Sequence, residues 1–296
     1  MNKINNHSYI TAKLLRSQPE IWINPIGGYG DIIMISSALY NAFKSHGKKF
    51  KMIYRTQYIE LLKGHPAIEL FGYPPVGAHI VGTDYWSREE FNEPTTKALY
   101  LLTKIFGGTE PENDDLYLPP QDGNNDILLS TIPWKTHNVL ISPYSEGIRK
   151  MMSPFKWDTI VSKLIQKGYL VIQTGKEREC LIRGAYSLLG VTTPSQLIAV
   201  VEKVDAVITL DSFTMHAAKY ARKPAVVLFG PTMASQYGYS NHFCLQANLM
   251  FCDEKDHCLG TRTPENYTRP CPKRQEHCMN QFSEQRIIDI ILKQKK

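Results

Sequence analysis

Apolar positions along this chain follow two alternating rhythms. Short apolar runs of strand length give way to stretches with helical spacing, then return. Ile21-Trp22-Ile23-Asn24-Pro25-Ile26 predicts a first core strand. Gly27-Gly28-Tyr29-Gly30-Asp31 follows, after which Ile32, Ile35, Leu39, Ala42 and Phe43 recur on one helical face until Gly47. Further strands are predicted over 51–55, 69–72 and 79–82, and helices over 57–63 and 95–106. The polar and aromatic stretch 83–94 predicts a loop over a ligand cleft, 116–120 an extended segment, and 121–125 a loop.

A second alternation begins near Asn138. It predicts strands over 139–142, 169–173, 206–210 and 225–229, and helices over 157–167, 181–188, 194–201 and 214–221. Strands alternating with helices in two halves imply an α/β protein with two parallel-sheet, Rossmann-like domains and ligands at the carboxyl ends of the strands. The expected division is 1–135 for the first domain, 136–282 for the second, and 283–296 for a C-terminal helix. Ser283 caps that helix, and Ile287, Ile288, Ile291 and Leu292 form its apolar face. Residues 244–279 stand apart as a loop-rich, cysteine-rich segment.

Composition narrows the function classes. The chain has 296 residues, 43 % of them apolar, which is enough for two cores. Its net charge of +6 is carried by dispersed Lys and Arg, which argues against a nucleic-acid binder and is compatible with an anionic ligand or an anionic membrane surface. No apolar run approaches the roughly 20 residues that span a bilayer, and the first residues lack a signal-peptide core. The expected setting is cytoplasmic, with at most peripheral contact at the inner face of the cytoplasmic membrane.

Three clusters carry candidate chemistry. The Gly27–Asp31 turn resembles a dinucleotide fingerprint only weakly, because no third glycine stands at the required offset and no strand-end acid follows about 20 residues later, and Asp31 sits where a phosphate would lie. A carboxylate there suits a poised base or a helix cap. Asp211-Ser212-Phe213-Thr214-Met215-His216 surrounds a helix start with an acid, two hydroxyls and an imidazole, and the free N–H groups of a helix start suit a diphosphate. Cys252, Cys258, Cys271 and Cys278 fall within 27 residues and offer ligands for a structural zinc or iron, with His257 and His277 beside them. No Cys-x-x-Cys pair occurs among them, and free or redox-active thiols are the alternative. Cys180 and Cys244 read as ordinary packed cysteines.

Taken in order, these segments resemble glycosyltransferase family 9, the ADP-heptose heptosyltransferases of lipopolysaccharide core assembly. The resemblance rests on Gly30-Asp31 opening a helix, on Lys150 followed by the Trp157 helix, and on Gly175-Lys176-Glu177. It also rests on Thr192-Thr193-Pro194-Ser195-Gln196-Leu197, on Asp211-Ser212-x-x-Met215-His216, and on Phe229-Gly230-Pro231-Thr232. It implies the GT-B fold, two Rossmann-like domains with a cleft between them, the acceptor on the first and the nucleotide sugar on the second. It further implies inversion at the anomeric carbon without a catalytic metal, and the chain contains no Asp-x-Asp. Family members usually carry glycine after the Asp-Ser or Asp-Thr pair, where this chain has Phe213; glycine permits positive φ and close backbone approach.

By the same resemblance, Asp31 is the base for the acceptor hydroxyl, and Lys150, assisted by Arg149, neutralises the leaving diphosphate. Ser145, Ser212, Thr214 and His216 hydrogen-bond its phosphates. Lys176, Glu177, Thr192, Asp211, Phe213 and Gly230 complete the donor site, Glu177 toward the ribose and Thr192 toward the base. The bland alternatives are a cap for Asp31, a solvated lysine for Lys150 and plain helix caps for the hydroxyls. The implied donor is an ADP-activated heptose or a related nucleotide sugar. The implied acceptor is a hydroxyl of a glycan, a lipid-linked core sugar or a protein. Lys44, Lys48, Lys49, Lys51 and Arg55 offer charge for an anionic acceptor. Rival readings are a nucleotide-sugar epimerase of the same fold and a non-catalytic nucleotide- or carbohydrate-binding module.

Overall fold

The computed structural model describes residues 9–11, 14, 20–121, 125–250, 271 and 278–294. The chain divides into two compact units, Met1–Asp122 and Gly123–Lys296.

The first unit is built on a four-stranded parallel sheet of β1 (Ile21–Asn24), β2 (Phe50–Ile53), β3 (Ile68–Gly72) and β4 (His79–Gly82), in the order β3-β2-β1-β4. The helix expected after the glycine turn is α1 (Tyr29–His46). It ends where Gly47 takes the left-handed conformation at φ 70°, and the Gly47 N–H closes the last turn onto the Phe43 carbonyl. Ile32, Ile33, Ile35, Leu39 and Ala42 are fully buried, and α1 packs on α3 (Ala98–Ile105) through that face. Between them in sequence lies α2 (Thr56–Leu62). The stretch 83–94, expected as a loop, forms two 3-10 turns, Tyr85–Ser87 and Glu89–Asn92. Thr83, Asp84 and Tyr85 are buried, so the start of this segment belongs to the core, whereas Ser87, Glu89, Asn92, Glu93 and Pro94 are exposed.

The second unit carries a six-stranded parallel sheet in the order β10-β9-β8-β5-β6-β7. Its strands are β5 (Asn138–Ser142), β6 (Leu170–Gly175), β7 (Tyr186–Leu189), β8 (Ala206–Leu210), β9 (Ala225–Phe229) and β10 (Phe243–Gln246). The helices are α4 (Asp126–Thr131), α5 (Pro154–Gln166), α6 (Pro194–Lys203), α7 (Phe213–Tyr220), α8 (Ala234–Tyr237) and α9 (Glu284–Lys293). β5, β8 and β9 are buried at every position, which is why they appear as unbroken apolar runs.

Two expectations are corrected here. Residues 181–188 do not form a helix: Gly184 turns the chain at φ 86°, and Tyr186–Leu189 pairs with β6 as the sheet's edge strand. Apolar residues too few to show a period gave the wrong element. The cysteine-rich segment also opens on a strand, since Phe243–Gln246 pairs in parallel with β9. The C-terminal helix follows expectation. Ser283 Oγ accepts the Arg286 N–H at 3.4 Å, and Ile287, Ile288 and Ile291 are buried against α5. Each such side chain stabilises by about 1.5–3 kcal/mol relative to exposure, which holds the last helix to the second unit.

Candidate active site

In an open parallel sheet, ligands bind beyond the carboxyl ends of the strands where the strand order reverses, because the two loops there diverge and leave a crevice. In the second unit that point lies between β5 and β8. The loop after β5 carries Ser145, Arg149 and Lys150, and the loop after β8 carries Asp211 and Ser212. The fold brings these two loops into contact. Lys150 Nζ donates to Asp211 Oδ2 at 2.7 Å and to the Asp211 carbonyl at 3.3 Å. Both side chains are largely shielded from water, at 13 % and 7 % exposure. A shielded ion pair is held more firmly than a surface one, and it places a cation beside a helix start.

That helix is α7. Ser212 is its N-cap residue, but its hydroxyl bonds sideways to Thr209 Oγ1 at 3.0 Å and does not cap a backbone N–H. Thr214 is buried in the first turn and Phe213 is half-buried. Phe213 does not strain the backbone: Arg222, at φ 54°, is the only non-glycine residue with positive φ among the described residues. The glycine of the family pattern is therefore not demanded here by dihedral angle. His216 is buried, and its Nδ1 lies 2.6 Å from the Tyr239 hydroxyl. Tyr239 also meets His242 edge-on and lies 5.7 Å from the buried Lys219 ammonium. The imidazole is thus fixed in place within the second unit.

Gly230 ends β9. A Cβ there would collide with Met279, and it would stand 3.0 Å from Cys278 Sγ. Packing against residues 278–279, and not dihedral freedom, explains the glycine. Two residues on, Thr232 has a shielded hydroxyl with no hydrogen-bond partner among the described residues. Buried hydroxyls are normally paired, so an oxygen-rich ligand would complete it.

The loop after β6 separates what the sequence grouped. Lys176 and Glu177 are exposed, and Lys176 pairs with Glu146 at 2.5 Å. Glu179 instead folds over Gly175, whose φ of 159° and missing Cβ make room for its carboxylate. Burial pushes the Glu179 carboxyl above its ordinary range. The spacing Gly175-x-x-x-Glu179 was the available signal for this residue. Thr192 is half-buried and precedes Thr193, which forms a capping box with Gln196 at the start of α6. Ser145 Oγ accepts the Gly147 N–H at 3.3 Å, and Arg149 is buried in the 3-10 turn Ile148–Lys150.

In the first unit the strand order reverses between β1 and β4. Asp31 stands at the third position of α1, with Gly28 as N-cap, and is not itself the cap. Its Oδ2 accepts the Gly28 N–H at 2.8 Å, and its Oδ1 accepts the Tyr85 hydroxyl at 2.8 Å. Gly27, at φ 126°, must be glycine on two counts: the dihedral, and a Cβ that would collide with the Asp31 carboxylate. Thr83 ties the same turn to β4 by accepting the Ile26 N–H at 2.8 Å. Tyr85 and Thr83 were not singled out in the sequence, because nothing local marks a tyrosine that acts across a sheet.

Of the four cysteines expected to bind metal, Cys252 and Cys258 lie outside the described residues, as do His257 and His277. Cys271 and Cys278 are half-buried. Among the described residues no group of three or more His, Cys, Asp or Glu side chains is placed to hold a metal ion. Cys180 is exposed and not packed as expected, while Cys244 is partly buried with Sγ 3.9 Å from the Tyr239 carbonyl.

The model of glycosyltransferase family 9 (heptosyltransferase) matches residues 95–266, more than half of the chain. The chain belongs to glycosyltransferase family 9. No curated protein matches it in sequence. Among solved structures it is similar to the iron-containing dodecameric glycosyltransferase TibC from enterotoxigenic E. coli H10407, with TM-score 0.74 at 16 % identity over 93 % of this chain and 78 % of that one. A second TibC structure, in complex with ADP-D-β-D-heptose, gives TM-score 0.72 at 16 % identity over 93 % and 76 %. E. coli ADP-heptose lps heptosyltransferase II gives 0.67 at 14 % identity over 94 % and 100 %. At these identities the likeness is one of fold, and this family 9 chain has the GT-B fold expected of it.

Proposed function

We propose that this family 9 protein transfers a heptose, or a closely related sugar, from an ADP-activated donor to a hydroxyl acceptor with inversion and without a catalytic metal. The observation that carries the reading is the Lys150–Asp211 pair, which fixes a shielded cation at the strand-order reversal beside the α7 helix start. A cation and free helix N–H groups stabilise the charge that develops on a departing diphosphate. In this reading Ser212, Thr214, His216, Gly230 and Thr232 bind the diphosphate and Glu179 the ribose. Asp31 removes the proton from the acceptor hydroxyl. The acceptor is a glycan, a lipid-linked core sugar or a protein hydroxyl. Support for the donor comes from family membership and from the ADP-D-β-D-heptose held by TibC.

The reaction is assigned to the cytoplasm, with at most peripheral contact at the inner membrane face. The net charge of +6 supports such contact. The cysteine segment is assigned a structural zinc or iron on the strength of its thiol spacing and of the iron in TibC. Elemental analysis of purified protein, against a Cys278→Ser variant, tests that assignment: metal that is absent, or unaffected by the variant, removes it.

A thermal-shift screen tests the donor. A ligand that binds only the folded state stabilises it by about 2.7 kcal/mol at a hundredfold excess over Kd. ADP and ADP-D-β-D-heptose are expected to raise the melting temperature and UDP- or GDP-sugars to leave it unchanged. The reverse pattern removes the ADP-heptose assignment.

A further inference from the structure

We propose that Tyr85 is the positioning residue for Asp31, aiming the carboxylate that accepts the acceptor's proton. The proposal rests on the reading of Asp31 as that base.

Three observations carry it. First, Tyr85 cannot wander. It is fully buried, it starts the 3-10 turn that follows β4, and its N–H bonds the Thr83 carbonyl at 2.8 Å. Trp86 and Phe91 meet its ring edge-on, with centroids 5.0 and 5.1 Å away. Second, its hydroxyl reaches the carboxylate from the opposite side to the helix cap. Gly28 N–H holds Oδ2 and Tyr85 O–H holds Oδ1, each at 2.8 Å. A carboxylate held by one oxygen still rotates about its χ2, a broad torsion. Held by both, it presents one orientation. Third, the two anchors lie in the loops that follow β1 and β4, the strands between which the order reverses. Thr83 fastens the same two loops through the Ile26 N–H.

A carboxylate has about four lone-pair sites, and the bonds from Gly28 and Tyr85 take up two of them. A cap alone would not need the second bond, since a cap works through Oδ2 and the backbone. What the tyrosine adds is aim, and catalysis is sensitive to aim: a displacement near 1 Å costs on the order of a hundredfold in rate.

The test compares Tyr85→Phe with Asp31→Asn in the full-length protein, reading ADP released from ADP-D-β-D-heptose with a core oligosaccharide as acceptor. Tyr85→Phe is expected to lower kcat about 10- to 100-fold, with donor KM, ADP affinity and melting temperature close to those of the parent. A purely structural tyrosine would instead lower the melting temperature and leave kcat per folded molecule intact, which overturns the proposal. Tyr85→Met removes the hydroxyl through a different side chain and serves if the Phe variant does not fold. If Asp31→Asn keeps full turnover, or the parent releases no ADP, the base assignment falls and the proposal with it. If Asp31→Asn is inactive while Tyr85→Phe is normal, only the positioning role falls.

Discussion

Lys150 and Asp211, 61 residues apart in sequence, meet at 2.7 Å at the one place in the six-stranded sheet where the strand order reverses. Each explains the other's burial. A lone lysine or a lone aspartate this shielded would cost several kcal/mol, and the pair removes most of that cost while leaving the ammonium beside the α7 helix start.

Replacing Lys150 by Met therefore has two separable effects. Turnover is expected to fall by about 10²- to 10³-fold, the usual effect of deleting one charge-stabilising group. Stability is expected to fall by about 3–5 kcal/mol, the usual effect of removing one partner of a shielded ion pair. Adding Asp211→Asn to the Met variant is expected to recover most of the stability and none of the activity. Urea unfolding and ADP-release assays on the three variants check this, and a single Met variant that is fully active would show the lysine to be a structural partner only.

Phe213 stands where the family carries glycine, yet its backbone is ordinary helix. Phe213→Gly is expected to lower stability by roughly 0.5–1 kcal/mol, the helical cost of glycine, without tightening ADP. A tenfold gain in ADP affinity on calorimetric titration would show that the phenyl ring, and not the dihedral, keeps the diphosphate at a distance.

Two acids follow β6, and they differ in surroundings. Glu179 is half-buried over Gly175, and Glu177 is exposed. Glu179→Gln is expected to weaken ADP about tenfold, the loss of one hydrogen bond to a charged group, whereas Glu177→Gln changes affinity less than twofold. The opposite ranking would return the ribose contact to Glu177.

Much of this was legible in the sequence, and the reason differs from part to part. The buried strands β5, β8 and β9 show as unbroken apolar runs because both faces are covered. The glycine turn before α1 and the Asp211–His216 helix start show because phosphate and capping chemistry need particular residues at fixed offsets. Edge strands are harder. β7 and β10 are four residues each and half-exposed, so they carry no period to read. The contacts that join distant segments are harder still. Tyr85 to Asp31 and Tyr239 to His216 span 54 and 23 residues, and nothing local announces them. Glu177 and Glu179 were both visible as acids, but which one turns inward depends on Gly175 and on the space above it.

His65 makes the first unit pH-sensitive for reasons set by its hydrogen bonds. It is 3 % exposed. Its Nδ1 accepts the Ala67 N–H at 3.1 Å, so Nε2 carries the proton and donates to the Ser36 carbonyl at 2.9 Å. A second proton would have to enter at Nδ1, against the Ala67 N–H. Burial accordingly pushes the imidazole down to about 4. In the unfolded chain it titrates near 6.5, so acid favours unfolding. Stability is full above about pH 6.5, falls as pH drops from there to about 4, and is flat below that as far as this residue is concerned. The loss across the window is about 3 kcal/mol. His65→Gln keeps a donor and an acceptor but does not titrate. Urea unfolding of both proteins at pH 7, 5.5 and 4 isolates the histidine as the difference between the two curves. Parallel curves would mean that the buried imidazole accepts its second proton without cost, which the Ala67 contact forbids.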